Sequence, residues 1–128
     1  MSRLIGWLAA GVIMVAAGVA AAQASAGDPV KGAAVFDDRC SFCHTIKDNT
    51  QGPRLGGVVG RKAGSVPGVA YSDALKASGV VWTPDKLDLF LTGPEKMVPG
   101  TAMTATVPDA AERRDLIAYL ASTAAGGQ

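Results

Sequence analysis

The chain has 128 residues, with 12 basic and 11 acidic side chains, one histidine and two cysteines. This length corresponds to one domain, and the formal net charge of +1 excludes the strongly basic surface typical of nucleic-acid-binding proteins. Three Phe, two Tyr and two Trp are few for an ordinary core, so we expect a bound apolar group to supply part of it.

Residues 1–24 have the pattern of a secretory signal peptide. Arg3 gives a positive start, a long uncharged stretch follows, and small residues allow cleavage after Ala24 or Ala26. The apolar stretch is also long enough for an uncleaved membrane anchor, but it consists mostly of alanine, glycine and valine, which insert weakly. We therefore expect cleavage and a mature domain over residues 27–124. Loss of Arg3 leaves 11 basic and 11 acidic side chains.

The mature chain begins with a predicted helix that leads into a cysteine motif. Asp28-Pro29 predicts the helix start, and apolar spacing extends it toward Cys40. The sequence then reads Cys-Ser-Phe-Cys-His, and C-x-x-C-H is the attachment motif of a c-type haem. A helical turn brings Cys40, Cys43 and His44 to one side, so both thiols and the imidazole can reach one porphyrin. The chain contains no other cysteine or histidine.

Two other interpretations of the motif are less consistent with the sequence. A structural zinc site needs four ligands, and only three cysteine or histidine side chains exist here. A thioredoxin-like C-x-x-C follows a strand, whereas a helix is predicted before Cys40. We therefore expect one covalent c-type haem (heme c), attached through Cys40 and Cys43. Its thioether bonds form outside the bacterial cytoplasm, so the cofactor and the signal peptide both predict the periplasm.

Three further helices are predicted, and no strand. Ser72 caps a short helix that ends at Gly79, and Thr83-Pro84 begins a second that ends at Gly93-Pro94. The last helix is predicted over residues 110–124, with an inward apolar stripe. The predicted fold class is all-α.

A long loop is predicted over residues 45–69, which are rich in glycine and proline. Such a loop is unusual in a compact domain unless it packs against a ligand. We expect Gly56, Gly57 and Gly60 to let the backbone approach the haem closely.

The iron needs a second axial ligand, for which the mature chain offers Met97, Met103 or a lysine such as Lys96. A methionine thioether favours an electron carrier, because it stabilises ferrous iron and fills the site that oxygen would take. Both methionines flank the Pro99-Gly100 turn, so spacing alone does not choose between them, and either could be a core residue.

Several further motifs follow the haem motif in a distinctive order. They are G-P-R-L-G-G-V-V-G-R-K at 52–62, A-Y-S-D-A-L-K at 70–76, Trp82, M-V-P-G-T-A-M at 97–103 and R-D-L-I-A-Y-L at 114–120. In this order the chain resembles class I cytochrome c, most closely its mitochondrial and alphaproteobacterial branch. The resemblance spans residues 27–123 and implies helices wrapped around one covalent haem.

The resemblance implies roles for five further residues. Met103 matches the axial ligand, and Pro53 matches the residue whose carbonyl orients the ligating imidazole. Arg61, Tyr71 and Trp82 match residues that donate hydrogen bonds to the haem propionates. Without the resemblance, the two aromatics would be interpreted as core residues and the arginine as a solvated charge.

Other positions either match the family or depart from it. Gly32 and Tyr119 match the crossing of the first and last helices, where glycine permits close approach. Phe90 replaces a tyrosine that donates to the axial sulfur in the mitochondrial branch, so a shifted potential is expected. Glu95 and Ala102 replace lysines around the haem edge, so docking should depend less on salt.

These observations predict a periplasmic single-electron carrier, not an enzyme. Its expected partners are respiratory or photosynthetic complexes, or a periplasmic dehydrogenase or oxidase. We expect a monomer without nucleic-acid partners, and membrane contact only if the N terminus stays uncleaved. Two alternatives stay open: an anchored cytochrome subunit of a dehydrogenase or oxidase, and a haem enzyme or sensor with a labile Met103.

Overall fold

The structure is a computed structural model that describes residues 26–123, and the predicted signal peptide lies outside them. The described chain contains five helices, which are α1 Pro29–Arg39, α2 Asp73–Ala77, α3 Pro84–Thr92, α4 Pro94–Met97 and α5 Ala110–Ser122. No strand forms in this range, where β-pairing is limited to one antiparallel bridge between Lys62 and Val81. The all-α prediction is confirmed. No helix within residues 26–123 has the length and apolar character needed to cross a bilayer.

Helix α1 begins and ends as its sequence predicts. The Asp28 carboxylate accepts hydrogen bonds from the amides of Val30 (2.8 Å) and Lys31 (3.3 Å), while Pro29 occupies the first helical position. The helix ends where the amide of Cys40 donates to the Phe36 carbonyl. The C-terminal end of α1 therefore presents the haem motif.

The predicted caps of α2 and α3 are also confirmed. The Ser72 hydroxyl accepts from the Leu75 amide at 3.1 Å, and the Thr83 hydroxyl accepts from the Lys86 amide at 3.2 Å. These side chains satisfy amides that a helix start leaves without a partner.

Helix α4 was not predicted, because Gly93-Pro94 was interpreted only as the end of α3. Gly93 does end α3, with an extended backbone (φ −165°). Pro94 then occupies the first position of a new four-residue helix, which the Val98 amide closes on the Pro94 carbonyl at 2.8 Å. A proline after a helix end is equally suited to begin the next helix.

Helix α5 provides the centre of the core. Asp109 caps it by accepting from the Glu112 amide at 2.8 Å. Leu116 is completely buried and Leu120 is 3% exposed, as the predicted stripe requires. The helix ends at Ser122, and the predicted last residue, 124, lies outside the described range.

Helices α1 and α5 cross at Gly32, as the resemblance implied. A Cβ atom at Gly32 would lie 1.9 Å from the Asp115 carbonyl oxygen and 2.8 Å from the Tyr119 Cβ. The contact continues through Phe36 and Tyr119, whose rings meet edge to face with centroids 5.6 Å apart. The Asp28 amide also donates to the Asp115 carboxylate at 2.8 Å. Only glycine at position 32 allows this approach.

The loop over residues 45–69 contains no helix, and the predicted close approach of Gly56, Gly57 and Gly60 to the cofactor cavity is not seen. Gly57 (φ +73°) and Gly60 (φ +89°) adopt left-handed backbone angles in turns and do not line the cavity described below. Beyond these turns the loop pairs with residues 80–82: the Trp82 amide donates to the Arg61 carbonyl at 2.9 Å. This pairing brings Arg61 and Trp82 to the same wall of that cavity.

Gly32→Ala tests the helix crossing by the sign of its effect. At an exposed helix position the change should raise the free energy of unfolding by about 1 kcal/mol, because alanine has the higher helix propensity. Because the Cβ atom overlaps the α5 backbone, we expect the free energy of unfolding to fall by about 2 kcal/mol instead. Denaturant titration measures this. In the control Ala34→Gly, on the exposed side of α1, the free energy of unfolding should fall only by the difference in helix propensity between the two residues. An increase in the free energy of unfolding of Gly32→Ala would refute the close helix crossing.

Candidate functional site

One cavity of about 400 Å³ lies between α3, α5 and the long loop, within the size range of cofactor sites. Its walls are mostly apolar, and its deepest side chains are Leu87, Phe90, Leu91, Leu116 and Leu120. All eight site residues predicted from the sequence line this cavity, and they are Cys40, Cys43, His44, Pro53, Arg61, Tyr71, Trp82 and Met103.

The cysteine motif continues α1 as one tight turn. The amides of Cys43 and His44 both donate to the Cys40 carbonyl, at 3.1 and 2.9 Å. Burial raises the pKa of the Cys40 thiol to about 11, and the nearby positive charge of Arg39 lowers it by less. In this polypeptide the Cys40 thiol is therefore neutral at physiological pH. The Cys43 thiol donates to the Gln51 side-chain carbonyl at 3.2 Å.

The imidazole of His44 is oriented by Pro53. Its Nδ1 atom lies 2.8 Å from the Pro53 carbonyl oxygen, which can only accept a hydrogen bond. Nδ1 must therefore carry the proton, and the Nε2 lone pair is left for a metal. This geometry fits the requirement for a ligating histidine.

Gly52 shapes the same contact, and this role was not predicted from the sequence. A Cβ atom there would lie 2.3 Å from Cε1 and 2.6 Å from Nδ1 of His44. The Gly52 amide also donates to the Cys43 carbonyl at 2.8 Å. The sequence signal was the glycine before Pro53, but only the three-dimensional contact shows that a side chain would displace the ring.

The structure distinguishes the two methionines by their positions. Met103 lines the cavity together with Thr101 and Thr104, whereas Met97 packs against the core outside the cavity lining. Lys96 is exposed and also lies outside the lining. Of the three ligands considered from the sequence, Met103 alone reaches the cavity within the described residues.

Arg61, Tyr71 and Trp82 supply hydrogen-bond donors to the cavity wall. Arg61 donates to the Arg54 carbonyl at 2.7 Å and to the Gly56 carbonyl. Burial lowers the pKa of Arg61, the charge of Arg54 lowers it further, and Tyr71 opposes both.

Other donors on the wall have no acceptor in the described chain. The Tyr71 hydroxyl accepts from the Val66 amide at 3.1 Å, and its own proton is donated to no described residue. The indole N–H of Trp82, a residue that is 7% exposed, likewise donates to no described residue. The same is true of the Thr101 hydroxyl, which is 5% exposed and was not identified from the sequence. Such donors, facing an apolar cavity, fit a large apolar group that carries carboxylates.

Phe90 contributes an aromatic ring without a hydroxyl to the cavity wall. Its ring is 5% exposed, lines the cavity and lies 4.9 Å from the Trp82 ring, centroid to centroid. It cannot donate a hydrogen bond to a sulfur ligand. Leu75, which also lines the cavity, adds a second apolar contact.

The comparisons with known proteins agree with this geometry. The family model described as Cytochrome c matches residues 29–124. The chain belongs to the cytochrome c family. Over 101 residues it is 51% identical to cytochrome c2 from Rhodopila globiformis, covering 77% of this chain and 95% of that protein. It is 50% identical over 98 residues to cytochrome c from Tetrahymena pyriformis, covering 75% and 89% of the two chains.

A solved structure gives the same result for the fold. Cytochrome cH from Methylobacterium extorquens superposes with a TM-score of 0.71 at 44% identity, covering 75% of this chain and 99% of that one. As a cytochrome c, the chain carries a covalent c-type haem, and Cys40 and Cys43 are its only cysteines. The class I cytochrome c fold and the cofactor predicted from the sequence are confirmed.

Gly52→Ala should disturb the site without changing any polar group. We expect the added methyl group to push the His44 ring away from the Pro53 carbonyl, and therefore the ratio of haem to protein in purified material to fall. Visible absorbance against peptide absorbance measures that ratio. Gly93→Ala is the matched control, because a Cβ atom there meets only the flexible Lys96 side chain, at 3.3 Å. Equal haem content in both variants would contradict this role of Gly52.

Proposed function

We propose that the protein is a periplasmic single-electron carrier in which His44 and Met103 are the axial ligands of one haem. Cys40 and Cys43 form its two thioether bonds. The observation that carries this proposal is the convergence of the Cys-x-x-Cys-His turn and Met103 on one apolar cavity. The engaged Nδ1 of His44, which leaves Nε2 free for iron, supports it further.

The bound haem supplies one iron that alternates between the ferrous and ferric states. The protein holds this group and limits its rearrangement. Pro53 keeps the His44 ring in one orientation and one tautomer. Trp82, Tyr71 and Arg61 are placed as donors for the propionates, which need partners in an apolar cavity. We assign these propionate roles as part of the proposal.

A carrier differs from a haem enzyme in having both axial positions filled by the protein. With His44 and Met103 bound, no site remains for peroxide or oxygen, and the redox change requires little movement of the chain. The rival function, a sensor or peroxidase with a labile Met103, predicts an open iron site. In the proposed carrier, Cys43 would hold the haem edge that exchanges electrons with a partner.

Met103→Ala separates the carrier from its rival. The wild-type ferrous protein should not bind carbon monoxide, whereas the variant should bind it stoichiometrically, because its sixth position is open. The Soret absorption band reports the binding. Met97→Ala removes a methionine side chain that lies outside the cavity, so this ferrous variant should still not bind carbon monoxide. Rapid binding by the wild-type protein would contradict ligation by Met103.

The thioether bonds have a separate test. Treating the denatured protein with acidified organic solvent removes non-covalent haem and leaves thioether-bound haem with the polypeptide. We expect the colour to stay with the protein. Cys40→Ala should retain one thioether through Cys43, which shifts the absorption maximum of the pyridine haemochrome. Extraction of all haem from wild-type protein would disprove covalent attachment.

We also propose export to the periplasm and cleavage after Ala24 or Ala26. Formation of thioethers outside the cytoplasm and the small-residue pattern at these sites support both steps. The mass of the native protein distinguishes a free shuttle from an anchored subunit. A mass that includes residues 1–24 and haem would favour the anchored form.

The proposed partners are redox proteins that dock at the haem edge through weak, short-lived contacts. Three features support a contact with little net charge. Residues 27–124 contain equal numbers of basic and acidic side chains, and Phe42, beside Cys43, is 87% exposed. The exposed positions Glu95 and Ala102 lack the lysines found in mitochondrial relatives.

The salt dependence of electron transfer tests this surface. With ferricyanide as the oxidant, we expect the second-order rate constant to change less than about threefold between low and physiological ionic strength. The double variant Glu95→Lys/Ala102→Lys should show a steep decrease with salt, because a positive rim attracts the anion. Stopped-flow mixing measures both. An equally steep decrease in the wild-type protein would contradict the uncharged docking surface.

A further inference from the structure

The Met103 segment, residues 98–107, is fixed at its beginning by α4. The Val98 amide donates to the Pro94 carbonyl at 2.8 Å, and the Thr101 amide donates to the Val98 carbonyl at 3.0 Å. These bonds form the turn that leads to Met103.

The middle of the Met103 segment is held differently. The backbone of residues 102–106 forms no hydrogen bond with any other part of the described chain. At the far end, the Val107 amide donates to the Leu91 carbonyl of α3 at 2.8 Å, and Val107 is 3% exposed. The segment is therefore a bridge that backbone hydrogen bonds hold only at its two ends.

Arg113 of α5 fixes the far end. Its Nη1 atom donates to the carbonyls of Val107 and Pro108, at 2.9 and 2.8 Å. Its Nε atom donates to the Asp88 carboxylate of α3 at 2.8 Å. The Arg113 side chain is only 11% exposed, whereas its partner Asp88 is 48% exposed, so the guanidinium is shielded more than the carboxylate. One guanidinium therefore ties α3, α5 and the end of the Met103 segment together.

We propose that Arg113 is a positioning residue that keeps Met103 on the iron by clamping the end of the Met103 segment. This inference rests on the proposed function, in which Met103 is the axial ligand. The planar guanidinium directs separate N–H groups to the two carbonyls and the carboxylate, and a lysine ammonium cannot match this arrangement. Loss of the clamp should leave the heme attached and make the thioether leave the iron more often.

Imidazole binding to the ferric protein measures this opening, because imidazole takes the iron position only after Met103 leaves it. In Arg113→Met we expect the limiting rate of imidazole binding to rise at least about tenfold. An increase of this size corresponds to the free energy of the lost charge-assisted hydrogen bonds. Arg113→Lys, which keeps the charge beside Asp88, should give a smaller increase. Arg114→Met removes an exposed arginine from the neighbouring position and should change the rate less than about twofold.

A purely structural role for Arg113 predicts a different result. Phe36→Leu weakens the contact of α1 with α5 but leaves the Met103 segment untouched, so it serves as a destabilised reference. If Arg113→Met opens no faster than Phe36→Leu at a matched free energy of unfolding, the clamp is disproved. If Arg113→Met fails to fold, Arg113→Lys decides, together with hydrogen exchange of the Val107 amide, which should be accelerated.

The two proposals fail in distinguishable ways. A wild-type ferric protein without the long-wavelength absorption of an iron–thioether bond would refute Met103 ligation, and the clamp with it. If that band is present and the Arg113 variants bind imidazole at the rate of Arg114→Met, the clamp alone is refuted.

Discussion

The hydrogen bond between the His44 ring and the Pro53 carbonyl is the contact on which the site depends. It joins the turn that follows α1 to the long loop, and it determines which ring nitrogen faces the cavity. Gly52 makes the contact possible, because no other residue leaves room for the ring. A loop without helices is thus held by the residue proposed as an iron ligand.

The helix boundaries could be predicted because capping is local. Asp28, Ser72, Thr83 and Asp109 each satisfy amides two or three residues ahead, so the sequence contains the whole interaction. Helix α4 was missed for an equally local reason, because a proline after a glycine can end one helix or begin another.

The site could be predicted only in part, because some of its interactions join distant residues. The C-x-x-C-H motif lies within five residues and identifies the cofactor by itself. The choice between Met97 and Met103 depends on which side of the Pro99-Gly100 turn faces the cavity, and spacing does not encode this. The bonds from Arg113 to Val107 and Asp88 span up to 25 residues, and nothing in the local sequence indicates them.

The two proposed axial ligands of the haem are supported by different physical means. On the His44 side, a short turn and a carbonyl orient a ring that has few ways to move. On the Met103 side, a flexible thioether lies in a segment with no backbone hydrogen bonds at its centre. A carrier needs the same ligands in both oxidation states, so the less constrained side must be restrained from its ends. Helices α3, α4 and α5 provide those ends, so the proposed ligation by Met103 depends on packing outside the cavity.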